Sequence, residues 1–240
     1  MASDHSGLGE IWGEIVSAIE TLSIKGCYER VNRVVSLGLL NRLRRRTASL
    51  VGGEILLDAG SGPGTSTAVL AGVHPSARIL MLDPSGPMLR HAMRVLQSGR
   101  VQPVQGRFEA IPLAENSVDG IVAMFSFRDA VNYEEALREM HRVLRPGGSL
   151  AILDFYRPVQ PWRALVKLYL IIMVPIALLL SRCGSELSLY RGFLHTIDRM
   201  LGLRELIDML NGIFGHAGAK RIAPGLMIAW AVKSQSQASS

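Results

Sequence analysis

Cysteine is scarce in this chain of 240 residues: Cys27 and Cys183 are the only two. Two cysteines cannot build the disulfide framework of a small secreted domain or a cysteine-rich zinc site, and they suit a reducing cytosol. The six histidines show no metal-ligand spacing, so no metal centre is expected. Aromatic residues make up 6% and charged residues 19%, against 48% hydrophobic. That balance excludes a disordered chain, which would be polar and highly charged. The opening residues, Met1-Ala2-Ser3-Asp4-His5, carry neither the basic region nor the apolar stretch of a secretory signal. Internal repeats are missing, and the one low-complexity tract is the polar tail Ser234 to Ser240. The length suits one full-sized domain and is too short for two ordinary ones.

Positive charge is in excess, with a net charge of +6 and a pI near 9.7. The densest basic run is Arg42, Arg44, Arg45 and Arg46, at the end of an expected helix. Cations there complement the helix dipole, or meet anionic lipid headgroups. Neither an RNA-module signature nor interleaved aromatics accompany them, so nucleic acid is not expected as a partner.

Hydrophobic periodicity predicts amphipathic helices over 8–22 and 28–46. A strand at Glu54 to Ala59, a helix at Thr65 to Val73 and a strand at Arg78 to Asp83 follow. Then come a helix at Pro87 to Gln97 and strands at Val101 to Gln105 and Val118 to Phe125. A helix at Glu134 to Leu144 is stopped by Pro146-Gly147-Gly148, and Ser149 to Phe155 is a further strand. Ala219–Ala223 and Leu226–Val232, joined by Pro224-Gly225, read as a hairpin. Strands apolar enough for burial on both faces, alternating with helices, predict an α/β doubly wound sheet of seven strands with an antiparallel C-terminal edge.

One segment is unusually apolar. Leu168 to Leu180 (LYLIIMVPIALLL) holds no polar group except the Tyr169 hydroxyl, and Lys167 and Arg182 flank it. Its 13 residues fall short of the roughly 20 of a membrane span, and Pro175 is expected to break it. A surface helix would show a polar stripe. The expectation is an apolar helical lid or interfacial insertion over a greasy substrate, with a buried helix pair or a true span as the other readings.

The strongest chemical signal is Leu56-Leu57-Asp58-Ala59-Gly60-Ser61-Gly62-Pro63-Gly64-Thr65, a strand, a glycine loop and a helix start. Glycines at 60, 62 and 64 allow backbone to approach a ligand at the carboxyl end of a first strand. A dinucleotide loop needs G-x-G-x-x-G, and here the third glycine comes one residue early. Asp58 would repel a phosphate but suits the ammonium of a methionine moiety. Asp83, closing the second strand, can accept hydrogen bonds from two ribose hydroxyls. These features fit S-adenosylmethionine (SAM) better than a nicotinamide dinucleotide, or a plain glycine turn with incidental acids.

The loop, together with Asp83-Pro84-Ser85-Gly86-Pro87-Met88-Leu89 and Ala136 to Gly148 (ALREMHRVLRPGG), resembles the class I SAM-dependent methyltransferases. Three more stretches resemble the C-methyltransferases of ubiquinone and menaquinone biosynthesis: Tyr28 to Gly38, Phe125-Ser126-Phe127-Arg128-Asp129, and Ser188 to Leu194. The likeness runs from about residue 25 to 218. It departs from the family at Arg107-Phe108-Glu109, where an Asp or Asn usually meets the adenine amino group. It departs again at Asp129, where the family has Asn, and the 168–180 run is greasier than the family's.

The resemblance implies a Rossmann-like fold in a single domain. Its parts are N-terminal helices over 1–46, a SAM-binding core over 50–155, a lid over 156–215 and a C-terminal hairpin over 216–233. It implies cofactor contacts from Asp58, Gly60, Gly62, Gly64, Thr65, Asp83, Pro84, Met88, Arg107, Phe108 and Phe125. Catalytic positions would be Arg128, stabilising a phenolate or orienting a water, with Tyr28, Asp129 and Tyr190 as hydrogen-bonding partners. Ion pairing of Arg128 with Asp129 or Glu134 is the bland alternative. The expected activity is carbon methylation of a prenylated, demethylmenaquinol-like quinol by a cytoplasmic, peripherally membrane-bound enzyme, with a homodimer left open. Methylation of nitrogen or oxygen in another lipid or small molecule, or SAM binding without catalysis by a membrane-associated partner protein, are the rival readings.

Overall fold

The computed structural model describes residues 27–36, 38–182 and 200–235. The expected helix over 8–22, the stretch Ser188 to Leu194 with Tyr190, and the end of the tail lie outside the described residues. The chain divides into two compact units, one of residues 41–158 and 200–240, the other of 1–40 and 159–199. The described helices are α1 (Cys27–Val35), α2 (Leu40–Ala48), α3 (Thr65–Val73), α4 (Gly86–Leu96), α5 (Tyr133–Val143), α6 (Trp162–Leu180) and α7 (Leu203–Phe214).

In the larger unit, β1 (Ile55–Ala59), β2 (Arg78–Asp83), β3 (Val101–Gln105), β4 (Val118–Met124), β5 (Leu144–Phe155), β6 (Gly215–Ala223) and β7 (Leu226–Lys233) make one sheet. Its order is β3-β2-β1-β4-β5-β7-β6. The first five strands pair in parallel, β7 runs antiparallel to β5, and β6 runs antiparallel to β7. This is the α/β Rossmann-like fold expected from the sequence. Alternating strand residues serve the two faces. Leu56, Ile79, Met81 and Val122 pack with Leu70 of α3 and Leu89 and Ala92 of α4. Leu57, Leu80, Ile121 and Ile152 pack with Leu137 and Met140 of α5 and Leu206, Leu210 and Phe214 of α7. Pro103 is tolerated because β3 is the edge strand and has no second ladder to donate to. The chain leaves β1 toward β2 and β3, then returns to β4 on β1's other side. The crevice outside the carboxyl ends of β1 and β4 is therefore the switch point at which such sheets bind ligands.

Three expected boundaries move, β6 opening at Gly215 rather than Ala219. Helix 28–46 is broken into α1 and α2, because Gly38 takes φ +79 and its N–H donates to Arg33 O at 2.8 Å, a left-handed helix stop. Strand β5 begins at Leu144 rather than Ser149: Leu144 pairs with Val118, and the register shifts before Gly120 pairs with Ser149, so Pro146-Gly147-Gly148 forms an irregularity within the strand.

In the smaller unit, α6 spans 19 residues and runs through Pro175. The expectation of a short run broken at the proline is corrected. Trp162 to Lys167 extend the apolar run into one helix, and the proline removes one backbone donor without ending it. Cys27, Val31, Ala177 and Leu178 form a small core with Val34, Val35 and Val174, and the Tyr169 hydroxyl donates to Val35 O at 2.5 Å. Cys27 is disulfide-bonded.

Candidate functional site

Four acids gather where the parallel strands end. Asp58 is the penultimate residue of β1 and Asp83 the last of β2. Asp129 closes a 3-10 turn (Phe127–Asp129) just beyond β4, and Asp154 is the penultimate residue of β5. Their order along the chain gives no hint of this proximity; the parallel sheet delivers it.

Asp58 is fully buried. Its Oδ2 accepts from Ser66 Oγ at 2.7 Å and Thr67 Oγ1 at 2.6 Å, both in the first turn of α3, while its Oδ1 has no hydrogen-bond partner. Burial pushes its carboxyl up to about 6; the two hydroxyls and Arg44 oppose the shift, and Asp83 adds to it. An orphaned buried carboxylate oxygen costs on the order of 1–3 kcal/mol, which a cationic donor would recover.

The glycines divide their work. Gly60 has φ +73, and a Cβ there would lie 2.4 Å from Ser126 Cβ and 2.9 Å from Phe108 Cζ. It lets the loop press against the end of β4, where Ser126 Oγ donates to Ala59 O at 2.8 Å. Gly62 has φ +52 and open space where a Cβ would stand. Its N–H donates to Asp83 Oδ2 at 2.8 Å. Gly64 is a packing glycine: a Cβ would meet Ala92 Cβ of α4 at 2.9 Å. Thr65 is the first residue of α3 and half-buried.

Asp83 also accepts from Ser85 N at 2.9 Å through Oδ1. It is a brace for the loop, a part not legible from strand-end position alone. Pro84 is exposed and its carbonyl accepts from Gln105 Nε2 at 3.1 Å. Met88 is buried, with its N–H capped by Ser85 Oγ at 3.2 Å. Arg107 is exposed and lies 3.9 Å from Glu109. Phe108 belongs to the core cluster and meets Phe127 edge-on at 6.2 Å.

Phe125 is a non-glycine residue at φ +61, a conformation that costs about 1–3 kcal/mol and is typical of built sites. The strained turn delivers Arg128 and Asp129. Arg128 donates from its backbone N to Asp154 Oδ2 at 2.9 Å, and from Nη1 to Asp154 Oδ1 at 3.0 Å and Phe125 O at 2.5 Å. Its main partner is thus Asp154, which the sequence reading missed; the signal was one acid at the end of an otherwise apolar strand, as at Asp58 and Asp83. The side chain of Asp129 makes only a 3.7 Å ion pair with Arg128 Nε. Burial pushes its carboxyl up to about 6, Arg128 opposes, and Asp154 and Asp83 add to the rise. Tyr28 lies on α1, in the smaller unit, and nothing described places its side chain; Tyr190 lies outside the described residues.

Removing Asp83 has a double effect, on the loop and on any ligand diol. Asp83→Ala is expected to weaken SAM at least tenfold in calorimetry, since charge-assisted hydrogen bonds contribute about 1.5–3 kcal/mol each. Unchanged affinity would remove Asp83 from the cofactor site.

Residues 57–152 match the model of a methyltransferase domain family. A ubiquinone/menaquinone biosynthesis C-methyltransferase of Legionella pneumophila is 34% identical over 168 residues, 65% of this chain and 67% of that protein. The enzyme of the same name from Syntrophotalea carbinolica is 35% identical over 139 residues, 56% of this chain and 59% of that protein. With several of these relatives the match thus spans under two thirds of their length. Among solved structures, the methyltransferase in complex with the Haloferax volcanii Trm112 methyltransferase activator superposes with TM-score 0.66 at 16% identity, covering 90% of this chain and 98% of that one. A SAM-dependent methyltransferase from Aquifex aeolicus gives 0.57 at 18%, covering 85% and 97%. At these identities the structural likeness shows the fold alone.

Proposed function

Because the chain belongs to the class I SAM-dependent methyltransferases, we propose that it transfers a methyl group to a ring carbon of a prenylated quinol precursor, demethylmenaquinol-like, in isoprenoid quinone biosynthesis. The residues present fit the cofactor: Asp58 Oδ1 awaits a cationic donor, Gly62 leaves open space, and Asp83 stands at the end of β2. Bound SAM supplies an electrophilic methyl on a sulfonium centre. What remains for the protein is to orient the acceptor, exclude water and take up one proton.

One observation carries the choice of carbon over nitrogen or oxygen. Asp129 holds a carboxylate without a hydrogen bond among the described residues, beside Arg128 and just beyond the end of β4. Carbon methylation needs the quinol hydroxyl polarised before transfer and a ring proton removed after it. Arg128, anchored by Asp154, faces developing phenolate charge; Asp129, ionised where the family carries Asn, gives this chain a direct acceptor for the ring proton that otherwise leaves through water. The names of the relatives, which specify a C-methyltransferase, support the same acceptor class.

A base whose carboxyl titrates near 6 is ionised above that pH and protonated below it. At saturating SAM, kcat is therefore expected to fall as pH drops through about 6. Asp129→Asn, which installs the residue the C-methyltransferase family carries here, should remove this limb while keeping kcat within about tenfold and SAM affinity near wild type. A surviving limb in the variant would assign the titration to another group.

Peripheral membrane association completes the proposal. Among the described helices α6 alone is long and apolar enough to cross a membrane. One of its sides packs on α1, while Leu165, Leu168, Ile172, Ile176 and Leu179 are exposed. A helix with one protein-packed side and one exposed apolar side lies in the interface, with Arg163 and Lys167 in its first turns and Arg182 just beyond its end reaching headgroups. Ile172→Asp with Leu179→Asp is expected to release the protein from anionic liposomes while turnover of a short-tailed quinol survives. Equal loss of short-tailed activity would make the run a structural core.

The function is tested with labelled SAM and a chemically reduced total lipid extract, followed by mass spectrometry. Label in a prenylated quinol is expected; label only in polar lipids or amines would favour the rival acceptors.

A further inference from the structure

The basic run on α2 divides between the two sides of the helix. Arg44 is 3% exposed and lies on the side of buried Thr47 and Ala48. There its guanidinium carbon stands 5.8 Å from the centre of the Phe125 ring, at the end of β4. Arg42, Arg45 and Arg46 are exposed. Their spacing of i, i+3 and i+4 sets the three side chains together on the opposite side of the helix. One side of α2 thus closes on the switch-point end of the sheet, and the other presents a cationic surface to solvent.

Local helix physics does not account for that surface. Like charges at i and i+4 repel one another, and α2 contains no acid to offset them. By contrast, α5 sets Glu134 one turn from Arg138 and Glu139 beside Arg142. Arg45 and Arg46 stand in the last turn of α2, where cations complement the helix dipole, but Arg42 stands in the first, where a cation opposes it. Among the described residues no ion pair reaches Arg42, Arg45 or Arg46. Three like charges grouped against the preference of their own helix are complementary to an anionic surface outside the molecule. The exposed residues from Asn41 to Leu50 include no aromatic ring on which a base could stack, and Leu50 is their one large apolar side chain. The contact that such a surface makes is electrostatic adsorption rather than insertion.

We propose that the Arg42, Arg45 and Arg46 side of α2 docks the larger unit on anionic phospholipid headgroups, a reading that rests on the acceptor being a prenylated quinol held in a bilayer. Guanidinium groups match the phosphate and carboxylate oxygens of such headgroups through paired N–H donors. Because the other side of the same helix lies at the end of β4, docking leaves a single helix between the headgroups and the crevice where the quinol ring must arrive. This contact depends on lipid charge and on salt, whereas the apolar contact of α6 depends on neither.

The test is vesicle flotation of the full chain, on phosphatidylcholine alone and on phosphatidylcholine with phosphatidylserine in equal parts. The wild-type protein is expected to prefer the mixed vesicles, and the preference to shrink as salt rises. Each arginine near an anionic bilayer contributes about fivefold to partitioning, so Arg42→Gln with Arg45→Gln and Arg46→Gln should weaken binding to the mixed vesicles by about 100-fold. Binding to neutral vesicles should not change. Removing the same charge elsewhere, with Arg94→Gln, Arg204→Gln and Arg221→Gln, all at exposed positions, should leave the preference largely intact. Turnover of a prenylated quinol in mixed vesicles should fall in the α2 variant, while turnover of a short-tailed soluble quinol persists. Equal binding of the wild-type protein to both vesicle types overturns the proposal and leaves the membrane contact of α6 standing. An equal loss in the two triple variants also overturns it, because net charge alone would then suffice. Binding to neither vesicle type overturns the membrane reading as a whole. Oligonucleotide binding that is tighter than vesicle binding and lost in the α2 variant would assign this side to nucleic acid instead.

Discussion

Gly60→Val is expected to leave no measurable SAM binding. The position has φ +73, a conformation that β-branched residues rarely adopt, and a Cβ would lie 2.4 Å from Ser126 Cβ. Neither neighbour can yield cheaply. Ser126 is buried and donates to Ala59 O, and Phe108 is fixed in the core against Phe127. The loop would lift from β4, carrying with it Gly60 N and Ser61 N, which donate to Leu82 O at 2.8 and 3.0 Å, and Gly62 N, which donates to Asp83. The cofactor cradle is lost because the loop no longer rests on β4, rather than because the new side chain fills the cofactor's space, as the sequence alone suggests. Calorimetry with SAM, alongside a thermal melt showing that the variant is folded, checks this; near-normal affinity would mean that the loop is not the cofactor site.

Asp154→Ala is expected to be the most destabilising single change at the site. Asp154 is 1% exposed and accepts three hydrogen bonds, from Arg128 N, Arg128 Nη1 and Phe155 N at 2.9, 3.0 and 2.8 Å. Removing it takes the nearest carboxylate from the Arg128 guanidinium, itself 10% exposed, and leaves the longer 3.7 Å pair with Asp129 to offset a buried charge. Breaking such a pair from one side costs about 3–5 kcal/mol, which lowers Tm by on the order of 10 °C for a chain of this length. Asp154→Asn keeps the shape and loses the charge, so a smaller shift is expected. A melt within 2–3 °C of wild type for the alanine variant would show that Arg128 finds other compensation.

These two residues mark where sequence reading reaches and where it stops. The alternation of apolar strands with helices made the doubly wound sheet legible, because each strand's burial on two faces is written in its own residues. Asp58 and Asp83 were legible as strand-end acids for the same reason. Asp154 obeys the same rule but was passed over, and its bond to Arg128 joins residues 26 apart in sequence. Only the pairing of β4 with β5 brings them together. The local alternatives, Asp129 and Glu134, were therefore the natural but incomplete choice of partner for Arg128. Arg44 was hidden in a basic run that reads as a solvated helix end, since burial depends on which side of α2 meets the sheet. The extent of α6 was underestimated because a proline and a charged flank look like terminators in one dimension, whereas an established helix carries both.

Carbon methylation of a prenylated quinol is tested most directly by the position of the transferred methyl. The purified protein is incubated with trideuteromethyl-labelled SAM and demethylmenaquinol, and the product is fragmented by tandem mass spectrometry. A ring fragment three deuterium masses heavier than its methylated counterpart, resistant to ether cleavage, is the expected result. Label lost on ether cleavage, or recovery of unlabelled quinol with SAM bound and unconsumed, contradicts it.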